Sequence, residues 1–425
     1  MFKKVKILLG GKTVKDVIKL TSGTVIAQVL PILFFPVLSR LYTPADYGVL
    51  GLFMGITMVV VSIAALQLNM AITIPKEDEE ALNIIATALF CVKLVCILSL
   101  FLIGGSCLIP ALYRWLTSVR LIPWVFIIPV VVFFSASATQ FQTWFVRSGN
   151  FDFVTKARIT TAIATVGLSL LFTLFWRNEI GLLASYLLGS AIGWVQLQYY
   201  FRKQQVVPSI SWKQFCIYVS RYKNFVLYST PTEFVSNFAQ QLPLYILSIY
   251  GGAQSVGWFT RCRQILGIPI SYISASIAEV YRQKASEYYR VNPQGLPALF
   301  SKTMKSLAAL GFLPFLVLII SGPFLFELAF GNAWRQAGVY SQYLGVMYFL
   351  RFVFSPLAFN FYLVGKQSLD LFLQIIFTLI SSLGLFAGFY FFDTEVVSIL
   401  FFSTGFSLMY VVYGYFSKQI ISKSI

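Results

Sequence analysis

Histidine is absent from the 425 residues, and charged side chains amount to only 11% of them. Without imidazole, His-type zinc sites, haem ligation and imidazole-dependent catalysis are excluded. A soluble domain carries about 25% charged residues, so the second shortage excludes an aqueous globular protein. Cysteine is sparse too: Cys91, Cys96, Cys107, Cys216 and Cys262 contain no CxxC pair. They read as small apolar residues in helix packing, and neither a metal nor a cofactor is expected. Cys107 and Cys262 both fall near the expected outer face, where a disulfide is the alternative.

What is abundant is apolar: 58% of the chain is hydrophobic and 17% aromatic, with a mean hydropathy of +0.78. A run of about 20 apolar residues crosses the hydrocarbon core as a helix, because a helix satisfies its own backbone polar groups. Twelve such runs predict an all-α membrane protein. Their approximate limits are 17–41, 47–74, 81–109, 121–146, 157–176, 181–201, 225–250, 257–281, 301–323, 338–362, 369–392 and 396–416. The longest gaps follow Phe201 and Tyr281, and no soluble domain fits between the spans. The lysines ahead of the first run imitate a secretory signal, but that run is too long and lacks a small-residue cleavage site, so it reads as a retained helix.

Acid is the scarcer charge, with 15 Asp and Glu against 32 Lys and Arg and a net charge of +17. Lys3, Lys4, Lys6, Lys12, Lys15, Lys76, Arg147, Lys156, Arg158, Arg202, Lys203, Lys213, Arg221 and Lys223 fall on one side, as do Arg282, Lys284, Arg290, Lys302, Lys305, Lys366, Lys418 and Lys423. Only Arg114, Arg120, Arg177 and Arg335 fall in loops on the other. Cations collect in cytoplasmic loops, so both termini are expected inside and no nucleic-acid partner is required. Trp124, Trp144, Trp176 and Trp258 lie at span ends, where an indole prefers the headgroup region.

The turn Tyr42–Gly48 between the first two spans has the length of Gly251–Gly257 between the seventh and eighth. The turn Gly149-Asn150-Phe151 after the fourth is matched by Gly365-Lys366-Gln367 after the tenth, at nearly the same separation. Two six-helix lobes related by a pseudo-twofold repeat are therefore expected, residues 1–201 and 225–425. Residues 202–224 join them. Within this linker Trp212, Phe215, Cys216, Val219 and Tyr222 share one helical face, which predicts an amphipathic helix on the inner leaflet; a solvated linker is the alternative. Prolines 31, 36, 123, 129, 231, 243, 269, 314 and 356 sit inside spans, where each removes a helix hydrogen bond and permits a kink.

Lys or Arg at mid-bilayer costs roughly 2.5–3.5 kcal/mol, so such residues usually face a wet cavity or a partner. Arg40, Lys93, Arg261, Arg263 and Arg351 are the candidates, and a bound anion would compensate them. Lys93 and Arg351 lie deepest, with an internal ion pair as their alternative. Arg40, Arg261 and Arg263 lie nearer span ends, where snorkelling competes. Arg261 and Arg263 point about 200° apart on a helix; Arg261 shares the polar stripe of Gln264, Ser271, Tyr272 and Glu279 and is the one assigned to the cavity. Glu233 is the carboxylate well inside a span, beside Asn237, Gln240 and Gln241. It is a candidate ion-coupling site, or else an arginine partner. Glu77-Asp78-Glu79-Glu80 reads as a solvated turn.

The stretch Leu38-Ser39-Arg40-Leu41-Tyr42-Thr43-Pro44-Ala45-Asp46-Tyr47-Gly48 resembles the first outer turn of the Wzx-type O-antigen and polysaccharide flippases. These belong to the multidrug/oligosaccharidyl-lipid/polysaccharide exporter superfamily. Phe330-Gly331-Asn332-Ala333-Trp334-Arg335-Gln336-Ala337-Gly338, Arg351–Pro356 and Gly365-Lys366-Gln367 resemble it as well. The likeness runs from about residue 17 to 416, and FGxxWxxAG is its most specific part. Many relatives carry Arg where this chain has Gln264, and Arg261, one turn earlier on the same face, is its substitute. The resemblance implies translocation of an undecaprenyl-diphosphate-linked oligosaccharide across a bacterial cytoplasmic (inner) membrane, through a cationic cavity lined by Arg40, Lys93, Arg261, Gln264 and Arg351. Its implied partners are membrane lipids, a polysaccharide polymerase and a chain-length regulator. An ion-coupled multidrug exporter is the nearest alternative, although it calls for acids where this chain places cations. A membrane polymerase is the other, although it calls for an extended outer loop.

Overall fold

The structure is a computed structural model that describes residues 25–208 and 211–423. Lys3, Lys4, Lys6, Lys12, Lys15 and the start of the expected first span lie outside the described residues. Among the described residues there is no strand, and the protein is an all-α, multi-pass membrane protein. Helices α1 to α8 are Phe35–Leu41, Pro44–Ala64, Leu68–Ala71, Asp78–Ser106, Pro110–Ser118, Ile128–Arg147, Phe151–Phe172 and Glu179–Gln204. Helices α9 to α17 are Trp212–Arg221, Thr230–Tyr250, Gly252–Pro269, Ala275–Val291, Leu296–Phe330, Arg335–Phe354, Phe359–Leu363, Gln367–Phe392 and Glu395–Lys423.

Nine helical segments among the described residues are long and apolar enough to cross a membrane, and they coincide with expected spans two to six and nine to twelve. Expected spans seven and eight are helical as well, but Glu233, Asn237, Gln240 and Gln241 in α10 and Arg261, Arg263 and Gln264 in α11 make them too polar to pass on composition. The gap expected after Tyr281 is not a loop. Helix α12 continues to Val291, and α13 begins at Leu296. The chain divides into two compact units, Met1–Gln241 and Leu242–Ile425.

In the first unit, Pro44 opens α2 because its missing N–H is no loss in the first turn. Thr43 and Asp46 close a capping box around it, with Thr43 N–H donating to Asp46 Oδ2 at 2.8 Å. The Tyr42 hydroxyl donates to the Ser169 carbonyl of α7 at 2.8 Å, which pins this turn to the bundle. Helices α7 and α8 approach closely through small residues. A Cβ on Gly189 would sit 2.1 Å from Thr165 Oγ1, and the Ser169 and Ser185 hydroxyls are 2.7 Å apart. Arg147, the last residue of α6, donates to the carbonyls of Ile72 at 3.0 Å and Pro75 at 2.6 Å and pairs with Asp78 at 3.1 Å. The expected solvated turn is solvated but is not a turn: exposed Asp78 and half-buried Glu80 begin α4, where a helix N-terminus favours acid, and both are paired with cations.

In the second unit, proline reorganises the spans. A π-turn, Ile270–Ser274, follows Pro269, and Pro356 breaks expected span ten into α14, a short 3₁₀ turn and α15. Pro356 has no N–H to give the carbonyl four residues back, Phe352. The Ser274 hydroxyl donates to that carbonyl at 2.9 Å instead. The FGxxWxxAG stretch is an interhelical corner: Gly331 takes φ +96°, Trp334 is fully buried, and a Cβ on Gly338 would lie 2.4 Å from the Gly322 carbonyl.

The two matched turns repeat in detail. Gly149 and Gly365 have φ +73° and +71°. Asn150 N–H donates to Phe145 at 2.8 Å, and Lys366 N–H donates to Phe361 at 2.7 Å. Each chain reversal closes over the fifth residue back and demands a left-handed glycine.

Candidate functional site

The site residues named from sequence divide between the units. In the first unit, Arg40 lies in the last turn of α1 and Lys93 midway along α4, both exposed. Neither has a carboxylate within ion-pair distance among the described residues. Glu233 lies in the first turn of α10, where Asn237, one turn on, donates to its Oε1 at 2.8 Å. The arginine ion pair that was its alternative does not form among the described residues.

In the second unit, Arg261 Nη1 donates to Gln264 Oε1 at 2.5 Å, so these two share a helix face as the spacing predicts. Arg351, in the last turn of α14, is exposed and stacks over Tyr348 at 5.9 Å. Arg263 stacks over Phe259 at 6.0 Å and joins Arg351 in acting electrostatically on the buried Tyr348 hydroxyl. Arg351 acts likewise on Tyr410. Arg351 thus stands against an aromatic ring, and it has no carboxylate partner among the described residues.

Glu279 and Glu327 of this unit pair with Arg282 and Arg335, while Glu395 and Asp370 are held mainly by hydroxyl groups. Glu395 accepts from Ser255 at 2.5 Å and from Tyr340, which joins the first turns of α11 and α17 to α14. Buried Asp370 accepts from Tyr413 and from Gln374 at 2.8 Å. Sequence reasoning missed Tyr348, Tyr410, Glu395 and Asp370 as site or scaffold residues, and it ranked Arg263 below Arg261. Only the one-turn spacing of Tyr348 and Arg351 could have signalled the pairing. All five cysteines are free thiols, with Cys91 and Cys262 buried, so the Cys107–Cys262 disulfide does not form.

The unit therefore offers planar, permanently charged donors with aromatic backing and no internal counter-ion for Arg351. Such a set suits phosphate oxygens, which accept the guanidinium fork in bidentate fashion.

No curated protein matches this sequence. Several solved structures share its fold. An inward-facing multidrug resistance MATE family transporter of the MOP superfamily aligns with a TM-score of 0.72 at 16% identity, over 94% of this chain and 98% of that one. A MOP superfamily transporter from Pyrococcus furiosus, described as having a binding pocket of reversed polarity that suggests a different function, aligns with a TM-score of 0.59 at 16% identity, over 96% of each chain. An outward-facing MATE transporter aligns with a TM-score of 0.58 at 14% identity, again over 96% of each. Residues 37–339 match the family described as polysaccharide biosynthesis protein. With its exporter-like membrane fold and most of its length matched, this chain belongs to the polysaccharide biosynthesis protein family.

Proposed function

We propose that the protein is a flippase that moves an undecaprenyl-diphosphate-linked oligosaccharide from the cytoplasmic to the periplasmic leaflet of a bacterial inner membrane. The observation that carries this reading is that Lys93 and Arg351, deep in their spans, have no carboxylate partner among the described residues. An uncompensated cation at that depth is costly, so the resting protein favours any anion it can admit. A lipid-linked diphosphate supplies that anion, and the polysaccharide biosynthesis family supplies the sugar. Half-buried Tyr410, with Gln264, adds an aromatic face and an amide of the kind that hold sugar hydroxyls.

In this scheme Arg40, Lys93, Arg261 and Arg351 bind and release the diphosphate as the transporter exposes them alternately to the two sides. Glu233 is the proposed ion-coupling group. The Asn237 amide holds its carboxylate in place. A transport role rather than catalysis follows, since the described acids are dispersed in structural contacts.

The multidrug alternative predicts acids facing the substrate. Here the named deep cations outnumber Glu233. In a deletion host, Lys93→Ala and Arg351→Ala are each expected to cut surface polysaccharide by at least about tenfold, the loss of one charge-assisted contact of about 1.5–3 kcal/mol. Arg351→Lys should keep part of it, because charge survives while the fork does not. Unchanged polysaccharide in both alanine variants sinks the cationic-site reading, and acquired drug resistance on overexpression favours the exporter.

A further inference from the structure

Helix α9 does not lie apart from the first unit as a bare connector. Its Phe215 ring packs on Phe90 of α4 at 4.9 Å and stacks with Trp212 at 5.1 Å, while Trp212 meets Phe90 at 6.1 Å. At its other end Arg221 pairs with Glu80 at 2.9 Å, and the Tyr222 hydroxyl donates to the same oxygen at 2.9 Å. Burial, with the Glu80 contact second, pushes the Tyr222 hydroxyl above its ordinary pKa, so it remains a donor at neutral pH. Ten residues of α4, about 15 Å of helix, separate Glu80 from Phe90. The linker helix is therefore strapped along the opening turns of α4.

That grip uses Phe215, Tyr218, Val219 and Tyr222 and leaves the opposite face uncovered. The free face forms a shallow open groove of about 700 Å³ lined by Trp212, Lys213, Cys216, Ile217, Ser220 and Arg221. Trp212 is 64% exposed and Ile217 53%, a cost in water that an acyl environment would remove. Charge on the linker itself has one sign. From Tyr199 to Asn224 the chain carries Arg202, Lys203, Lys213, Arg221 and Lys223 and no acid. Of the acids at the start of α4, Asp78 and Glu80 are already held by Arg147 and Arg221, and Glu79 stays exposed.

We infer that the free face of α9 is a docking site for an anionic phospholipid of the cytoplasmic leaflet, with acyl chain along Trp212, Cys216 and Ile217 and headgroup phosphate at Lys213 and Arg221. A neutral surface would suit the apolar half of this groove but leave Lys213 without a counter-ion among the described residues, since Arg221 alone is paired with Glu80. Because α9 is strapped to α4, the helix that carries Lys93, the lipid is bound to the same rigid element as a proposed substrate residue. The site is separate from the substrate reading and survives its failure.

The test is quenching of Trp212 in the full-length protein reconstituted into nanodiscs, taken as the difference between the wild type and Trp212→Phe. Nanodiscs contain either brominated phosphatidylglycerol or brominated phosphatidylcholine at the same mole fraction. Phosphatidylglycerol is expected to quench at least about threefold more than phosphatidylcholine. Lys213→Gln, which leaves the Glu80 strap intact, should halve that ratio, and Lys213→Glu should abolish it, while phosphatidylcholine quenching persists and reports that α9 remains in place. Equal quenching by the two lipids in the wild type, a preference that survives Lys213→Glu, or no quenching by either lipid each overturns the inference; the last would mean that something other than lipid covers the groove.

Discussion

Arg147 and Arg351 both stand in the last turn of a helix, and the structure gives them opposite work. The Arg147 side chain is 12% exposed and satisfies carbonyls of residues 72–77 together with Asp78, so it fastens the connection into α4. Among the described residues Arg351 has no carboxylate partner, and the Tyr348 ring backs it. Arg147→Ala should cost about 2–4 kcal/mol, since several carbonyls lose a charged donor at once. Arg351→Ala should stay within about 0.5 kcal/mol of the wild type. Thermal unfolding of the detergent-extracted protein separates them: a clear fall in Tm for the first variant, none for the second. Equal falls would mean that Arg351 is a structural residue and that its role in substrate binding has been misread. In the sequence Arg147 is a loop cation at a span end, whereas Arg351 already stands out as a cation deep in its span. Arg147 reads as a topological charge because its partners are mostly backbone carbonyls, which every residue carries and no pattern reveals.

Among the helices, the spans were legible because hydropathy is local, whereas the corners were not because their partners come from far along the chain. Pro356 was readable as a kink. That Ser274 would supply the hydroxyl for the stranded Phe352 carbonyl was not, since the two are joined only by folding. The same holds for the outer turns. Asp46 caps its own helix three residues from Thr43, and that box can be read directly. At the matching turn of the second unit the acid near Ser255 is Glu395, brought from another helix. The Pro356 corner makes a sharp double-mutant test. Ser274→Ala should cost about 1–3 kcal/mol by leaving the Phe352 carbonyl without a donor. Pro356→Ala restores an N–H at the right position, so on that background Ser274→Ala should cost less than half as much. Additive penalties in thermal unfolding would show that the hydroxyl does not substitute for the missing amide.

For the whole chain, composition identified a membrane protein and loop cations supply an expected sidedness, yet the polar helices α10 and α11 are where apolarity stops being a guide. Residues 225–250 read as a span in spite of Glu233, Asn237, Gln240 and Gln241, yet these four side chains leave α10 too polar to qualify by apolarity alone. Residue 223 precedes α10 and residue 254 follows it, and Lys223 and Gln254 are both exposed. If α10 crosses the bilayer, these positions lie on opposite sides; if it does not, they lie on the same side. In a cysteine-free background, a membrane-impermeant maleimide should label Gln254→Cys in intact cells and leave Lys223→Cys untouched. Inverted membrane vesicles should give the reverse pattern. Labelling of both from one side would remove α10 from the membrane, carrying Glu233 out of any ion-coupling role, while the apolar helices would keep their places. Reversed labelling would instead turn the protein over, and with it the direction in which its cations could carry a diphosphate.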